Sequence, residues 1–156
     1  MRRKNSYELD ICLPGIKQNA IDSASKQLLD ELGGYSGLTP IEIPAYGNCL
    51  PLTASYFMHG NKDHDYEVRV RIAVELALNA EDYYLNDKFL AMGMENCSSR
   101  TTDYAMFSDL YHPGKPLTTD DIQTIFQEET MTIVRPGIYM GIWQLHTIAS
   151  ILEAKV

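Results

Sequence analysis

Tyr46-Gly47-Asn48-Cys49-Leu50 leads directly into an apolar stretch with helical spacing. A Gly-Asn turn running into a helix predicts Cys49 in the first helical turn. There the partial positive charge of a helix N-terminus favours thiolate over thiol. Backbone N–H groups of the same turn are suited to face a developing oxyanion. Cys49 is therefore a candidate nucleophile, with Gly47 and Asn48 as candidate oxyanion and turn residues. Each also has a plain structural reading. Cysteine is a common buried small residue, Asn tolerates the left-handed backbone of a tight turn, and glycine admits close backbone approach.

Downstream of the turn, Leu52, Tyr56 and Phe57 give an apolar stripe to about Met58, with Pro51 tolerated in the first turn. Gly60-Asn61 breaks this helix. A second helix begins near Asp63 or His64. Its main stripe is Tyr66, Val70, Ala73, Val74 and Ala77, broadened by Ile72, Leu76 and Leu78, which predicts deep packing. Upstream, residues 1–16 form a loose lead-in. Ile21, Ala24, Leu28, Leu29 and Leu32 share one helical face that Gly33-Gly34 terminates. Ile41-Glu42-Ile43 reads as a short strand or extended lead stopped by Pro44.

Further on, Tyr83-Tyr84-Leu85 and Phe89-Leu90 suggest a short helix and connection. Residues 93–116, rich in Gly, Ser, Thr and Pro, give no clear element. Thr118 and Asp121 approximate a capping box for a helix buried through Ile122, Ile125 and Phe126. Met131-Thr132-Ile133-Val134 reads as a strand and Arg135-Pro136-Gly137 as a turn. Ile142, Leu145, Ala149 and Leu152 line one face of a last helix. The resulting expectation is an α/β (α+β) fold with helices packed on a small central sheet.

Gly47-Asn48-Cys49-Leu50 also resembles the nucleophile motif of the OTU family of cysteine peptidases, which are deubiquitinating enzymes and usually read Asp-Gly-Asn-Cys-Leu-Phe-Arg. His64-Asp65-Tyr66-Glu67-Val68-Arg69 is similar to the start of that family's next helix, where a His-x-x-x-x-Arg pattern is usual. Gly141-Ile142-Trp143-Gln144-Leu145-His146, followed by Ile148-Ala149, resembles the later Trp/Gly segment and helix. These blocks follow the family order over most of residues 41–156. Tyr139 to His146 is similar to a divergent vertnin-like branch found in nuclear and transposon-associated proteins. The resemblance implies a lead-in and helix over 1–40 and an OTU-like domain over 41–156. It implies Cys49 as nucleophile, no metal or organic cofactor, and ubiquitin or a ubiquitin-like protein as partner.

Two departures bear on activity. Tyr46 stands where the family has an acidic residue three positions before the cysteine, and Pro51 and Leu52 replace the aromatic and basic positions after the motif's Leu. The family's catalytic histidine lies on a strand downstream of the Trp/Gly helix. Val156 falls about where that region begins. The resemblance thus implies missing C-terminal strands and transfers no complete triad.

The bulk properties bound the rest. The chain has 156 residues, 45% hydrophobic and 22% charged, enough for one domain with a real core. A formal charge of −8 argues against nucleic-acid binding through overall charge. The only basic cluster, Arg2-Arg3-Lys4, reads as a solvated terminus and precedes no apolar core of a signal peptide. No apolar run is long enough to cross a bilayer. Cys12, Cys49 and Cys97, odd in number and widely spaced, suit reduced thiols in the cytosol or nucleus. No CxxC or HxxxH pair supports a zinc site. Cys97, with only Arg100 as a basic neighbour, lacks a catalytic argument. Asp120 and Asp121 read as helix N-terminal charges.

Thiol chemistry needs an imidazole to take the proton and protonate the leaving amine. His59 lies at the far end of the Cys49 helix, about 15 Å along its axis. By the same resemblance His64 occupies a position usually associated with helix capping and packing, and His112 lies in a Pro/Gly loop. His146 is expected to pack beside Trp143, itself a core aromatic. Arg69, near Asp65 and Glu67, is expected to pair structurally across helices. Two functions follow. One is an OTU-like thiol isopeptidase, inactive in these residues for want of the downstream histidine. The other is a non-catalytic protein-interaction module on the same scaffold.

Overall fold

A computed structural model of the chain describes residues 21–33, 38–85, 100–114 and 116–153. The expectations for residues 1–16, Gly34, Phe89-Leu90 and Cys97 lie outside these residues. The chain divides into two compact units, residues 1–42 and 43–156.

In the first unit, α1 spans Ser23–Leu32. Asp22 caps it: one carboxylate oxygen accepts from the Ala24 and Ser25 amides, and the other from the Ser25 hydroxyl. These bonds hold the Asp22 carboxyl below its ordinary range, the Ser25 amide contributing most. The helix buries none of its residues. The expected strand at Ile41–Ile43 shrinks to one antiparallel bridge between Ile21 and Ile41. Pro44 lacks the N–H a longer ladder would need.

The second unit contains α2 (Cys49–His59), α3 (Asp65–Leu78), α4 (Ala80–Tyr84), α5 (Arg100–Met106), α6 (Thr119–Thr132) and α7 (Ile142–Glu153) among its described residues. Packed against α2, α4, α6 and α7, α3 is the hub. Val68, Ile72, Ala73 and Leu76 on α3 meet Ala54 of α2, Tyr83 of α4, Ile122, Ile125 and Phe126 of α6, and Trp143 and Ile148 of α7. Each of the larger aliphatic side chains contributes about 1.5–3 kcal/mol by leaving water.

The expected sheet is absent: the described residues form an all-α fold, which corrects the α/β (α+β) expectation. The correction is concentrated at Met131–Val134. Met131 and Thr132 complete α6, and the Ile133 amide donates to Glu129 O at 3.0 Å. The Thr132 hydroxyl turns back onto the carbonyls of Glu128 and Glu129. β-branched residues cost a helix only some tenths of a kcal/mol each. Burying Ile133, 1% exposed, outweighs that cost. Helix α6 opens with the expected capping box between Thr118 and Asp121.

Two helices are rotated relative to their apolar stripes. On α3, Tyr66, Val74 and Leu78 face outward, while Val68, Arg69, Ile72 and Leu76 face in. On α7, Leu145 and Ala149 are exposed, and Trp143, Gln144, Thr147 and Ile148 are buried. Polar partners explain the second case. Gln144 accepts from the Gly141 amide and donates to Glu129, and the Thr147 hydroxyl donates to the Trp143 carbonyl. Trp143 is a core aromatic, edge-on to Phe126 and Tyr104, with its indole N–H on the Tyr83 carbonyl.

Candidate functional site

Cys49 is the first residue of α2 and is half-buried, a free thiol. Its amide closes a turn onto the Tyr46 carbonyl at 2.8 Å, and its carbonyl accepts from the Thr53 hydroxyl. Tyr46, which stands in place of an acidic residue, is exposed. The expected position of the cysteine at a helix N-terminus is therefore met, although the described residues place no sheet behind it.

The turn is held from outside by one buried cation. Arg69, 1% exposed, extends its guanidinium from α3 to five bonds with neutral oxygens. It donates to Gly47 O at 2.8 Å, to Asn48 Oδ1 at 2.7 Å and to Ile133 O at 2.5 Å. Two further bonds, each 3.2 Å, reach Ile138 O. Asn48 Oδ1 also accepts from the Gly137 amide at 2.8 Å. One guanidinium thus ties the Cys49 turn to the segment that follows α6. The planar five-donor fork of arginine suits this task, which the single ammonium of lysine does not match. Burial pulls the Arg69 guanidinium below its ordinary range, while Asp65 and Cys49 within electrostatic reach act the other way.

Glycine at position 47 has a steric cause. A Cβ there would lie 1.9 Å from the Gly137 carbonyl oxygen, so the two segments touch backbone to backbone. Asn48 makes no side-chain cap bond to α2 because its oxygen is committed to Arg69 and Gly137. The structure therefore brings Gly47, Asn48 and Cys49 together with Arg69, Ile133, Gly137 and Ile138. The role of Arg69 was not legible from its acidic neighbours. Glu67 pairs instead with Arg71 and His64. The available signal was an arginine on the same face as Val68, Ile72 and Leu76, where a cation requires a polar partner.

The histidines stand elsewhere. His59 ends α2 and stacks on His64, with ring centroids 4.2 Å apart. His64 precedes α3, and its Nδ1 lies 3.2 Å from Glu67 Oε2. His146 Nε2 meets the Tyr104 hydroxyl at 2.9 Å. His112 is exposed in the loop before α6. No hydrogen bond joins a histidine to Cys49 among the described residues. No described helix is long and apolar enough to cross a membrane.

The chain is 24% identical to mouse vertnin over 155 residues, covering 97% of this chain and 20% of the mouse protein. It spans about a fifth of that relative's length. No solved structure matches it. Residues 40–156, which carry both the Cys49 turn and the Arg69 clasp, match the family described as "Vertnin, OTU domain", and the chain belongs to that family.

Proposed function

We propose that this OTU domain of vertnin type engages ubiquitin or a ubiquitin-like protein at the Cys49 turn, with Cys49 placed as the nucleophile of a thiol isopeptidase. The observation that carries this reading is a half-buried free thiol at the first residue of α2, in a turn fixed by Arg69. The Cys49 amide is engaged by Tyr46, which leaves the Gly47 and Asn48 amides as the proposed oxyanion donors. The chemistry requires attack of sulfur on an isopeptide carbonyl and proton delivery to the departing lysine amine. A positioned acid/base group contributes about 10²- to 10⁴-fold to such a step. With the four histidines placed as described, these residues by themselves are proposed not to turn over.

A second reading has its own support. Gly47, Asn48 and Arg69 form a structural clasp that would serve a non-catalytic interaction module equally well. Two measurements separate the readings: labelling by an electrophilic ubiquitin probe and cleavage of di-ubiquitin, each beside a Cys49→Ala control. Cys49-dependent labelling without cleavage is the expected result. Robust Cys49-dependent cleavage would overturn the inactivity proposal. Reversible ubiquitin binding with no labelling would favour the interaction module.

A further inference from the structure

The far end of α2 carries a cluster that neither the Cys49 turn nor the core uses. His59, His64 and Glu67 each place one donor atom so that all three lie within 4.8 Å of one another. We infer that these three side chains form a site for a divalent transition metal of the zinc class, clipping the end of α2 to the start of α3.

The turn beneath the cluster fixes the backbone at both histidines. Gly60 caps α2 in the left-handed conformation, φ 73°, with its amide on the Tyr56 carbonyl. Asn61 donates to the His59 carbonyl and accepts from the Asp63 amide. Ser55, fully buried, donates to the Asn61 carbonyl at 2.7 Å and accepts from the His64 amide at 3.2 Å. The backbones of His59 and His64 are therefore set before any ion arrives, which reduces the ordering cost of binding.

The donor geometry is close to what the ion requires. Zinc lies about 2.0–2.1 Å from imidazole nitrogen and carboxylate oxygen, so two ligands on a tetrahedron stand about 3.3 Å apart. His64 Nδ1 and Glu67 Oε2 are already 3.2 Å apart. The widest separation needs to close by no more than about 1.5 Å, which side-chain rotation supplies. Two imidazoles and a carboxylate favour zinc and its neighbours over magnesium or calcium, which prefer all-oxygen shells. Arg71 holds the other Glu67 oxygen at 2.5 Å and orients the carboxylate from behind. The negative end of the α2 dipole falls at His59 and favours a cation there. The half-exposed His64 and Glu67 side chains leave an entry path and room for water as fourth ligand.

The test uses the untagged full chain, titrated with zinc chloride near neutral pH by calorimetry. One zinc ion per chain is expected, with His59→Gln and His64→Gln each weakening it at least about tenfold. His146→Gln and Cys49→Ser are expected to leave binding unchanged. Helical circular dichroism verifies that each variant is folded. In the unsubstituted chain, zinc should protect His59 and His64, but not His112, from diethyl pyrocarbonate. Absence of zinc binding, binding that survives both substitutions, or equal modification with and without zinc would overturn the site.

Discussion

At its first residue α2 carries a thiol beside a turn whose oxygens, backbone and Asn48 side chain alike, are gathered by one guanidinium. At its last residue it presents an imidazole to a second imidazole and a carboxylate. The two ends lie about 15 Å apart along one rigid rod. The first end is half-buried and joined by contacts between distant parts of the chain. The second is local, with donors eight residues apart at most, and opens to solvent through His64 and Glu67. The difference separates two uses of polar groups: Arg69 serves stability and pre-organisation, whereas the histidine end is adjustable and suited to exchange with solution. It also explains why sulfur and imidazole, both present in this domain, are not assembled as a catalytic pair by α2.

The comparison breaks most visibly at Arg69. Arg69→Met keeps much of the stem but strips partners from the Gly47, Ile133 and Ile138 carbonyls. A loss of about 4 kcal/mol is expected in urea unfolding, since each buried orphan costs about 1–3 kcal/mol. A loss below about 1 kcal/mol would show that packing alone holds the turn. Gly47→Ala forces the Gly137 carbonyl away from the new methyl, and a loss of about 3 kcal/mol is expected from such overpacking.

Asn48 sharpens the contrast. Asn48→Ala is expected to cost about 1–2 kcal/mol. Asn48→Asp, whose carboxylate still accepts from both Arg69 and Gly137, should fall close to the unsubstituted chain at neutral pH. Equal losses for the two would mean that the acceptor pattern is not what position 48 supplies.

The smallest effect belongs to the histidine end. His64 first, and the charges of Arg71 and His59, hold the Glu67 carboxyl below its ordinary range. A depressed folded-state pKa gives stability that is present above the unfolded-state value and lost as pH falls through the folded one. Thermal unfolding across the acidic range should therefore show a small extra loss that Glu67→Gln abolishes. An unchanged profile in that variant would remove Glu67 from the pH response.

The helices were largely legible because their signals are local: the Thr118 capping box, Gly60 after α2, and the apolar density of α3. The facing of α3 and α7 was not. Each carries two overlapping apolar stripes, and the choice was made by polar partners on other elements, Gly47 and Asn48 for Arg69 and Glu129 for Gln144. Met131–Val134 misled because strand preference is weak beside the burial of Ile133. Cys49 could be placed from its turn alone. The reason for Gly47 could not, since the carbonyl that excludes a side chain belongs to Gly137, ninety residues later in the sequence. The His59, His64 and Glu67 grouping was hidden by spacing that crosses a helix break, where no single periodicity applies.

Arg69 also sets an order of events for a chain made from its N-terminus. Its bonds to Gly47 and Asn48 span 22 and 21 residues, but those to Ile133 and Ile138 span 64 and 69. On the ribosome, α2 and α3 emerge as a hairpin whose guanidinium must stay hydrated until residue 138 has cleared the exit tunnel. Closing the clasp is then a late, long-range step of the kind that slows folding. A nascent chain halted before that point displays a cation on the helix that the finished domain packs at its hub, a polar mark that only the completed clasp removes.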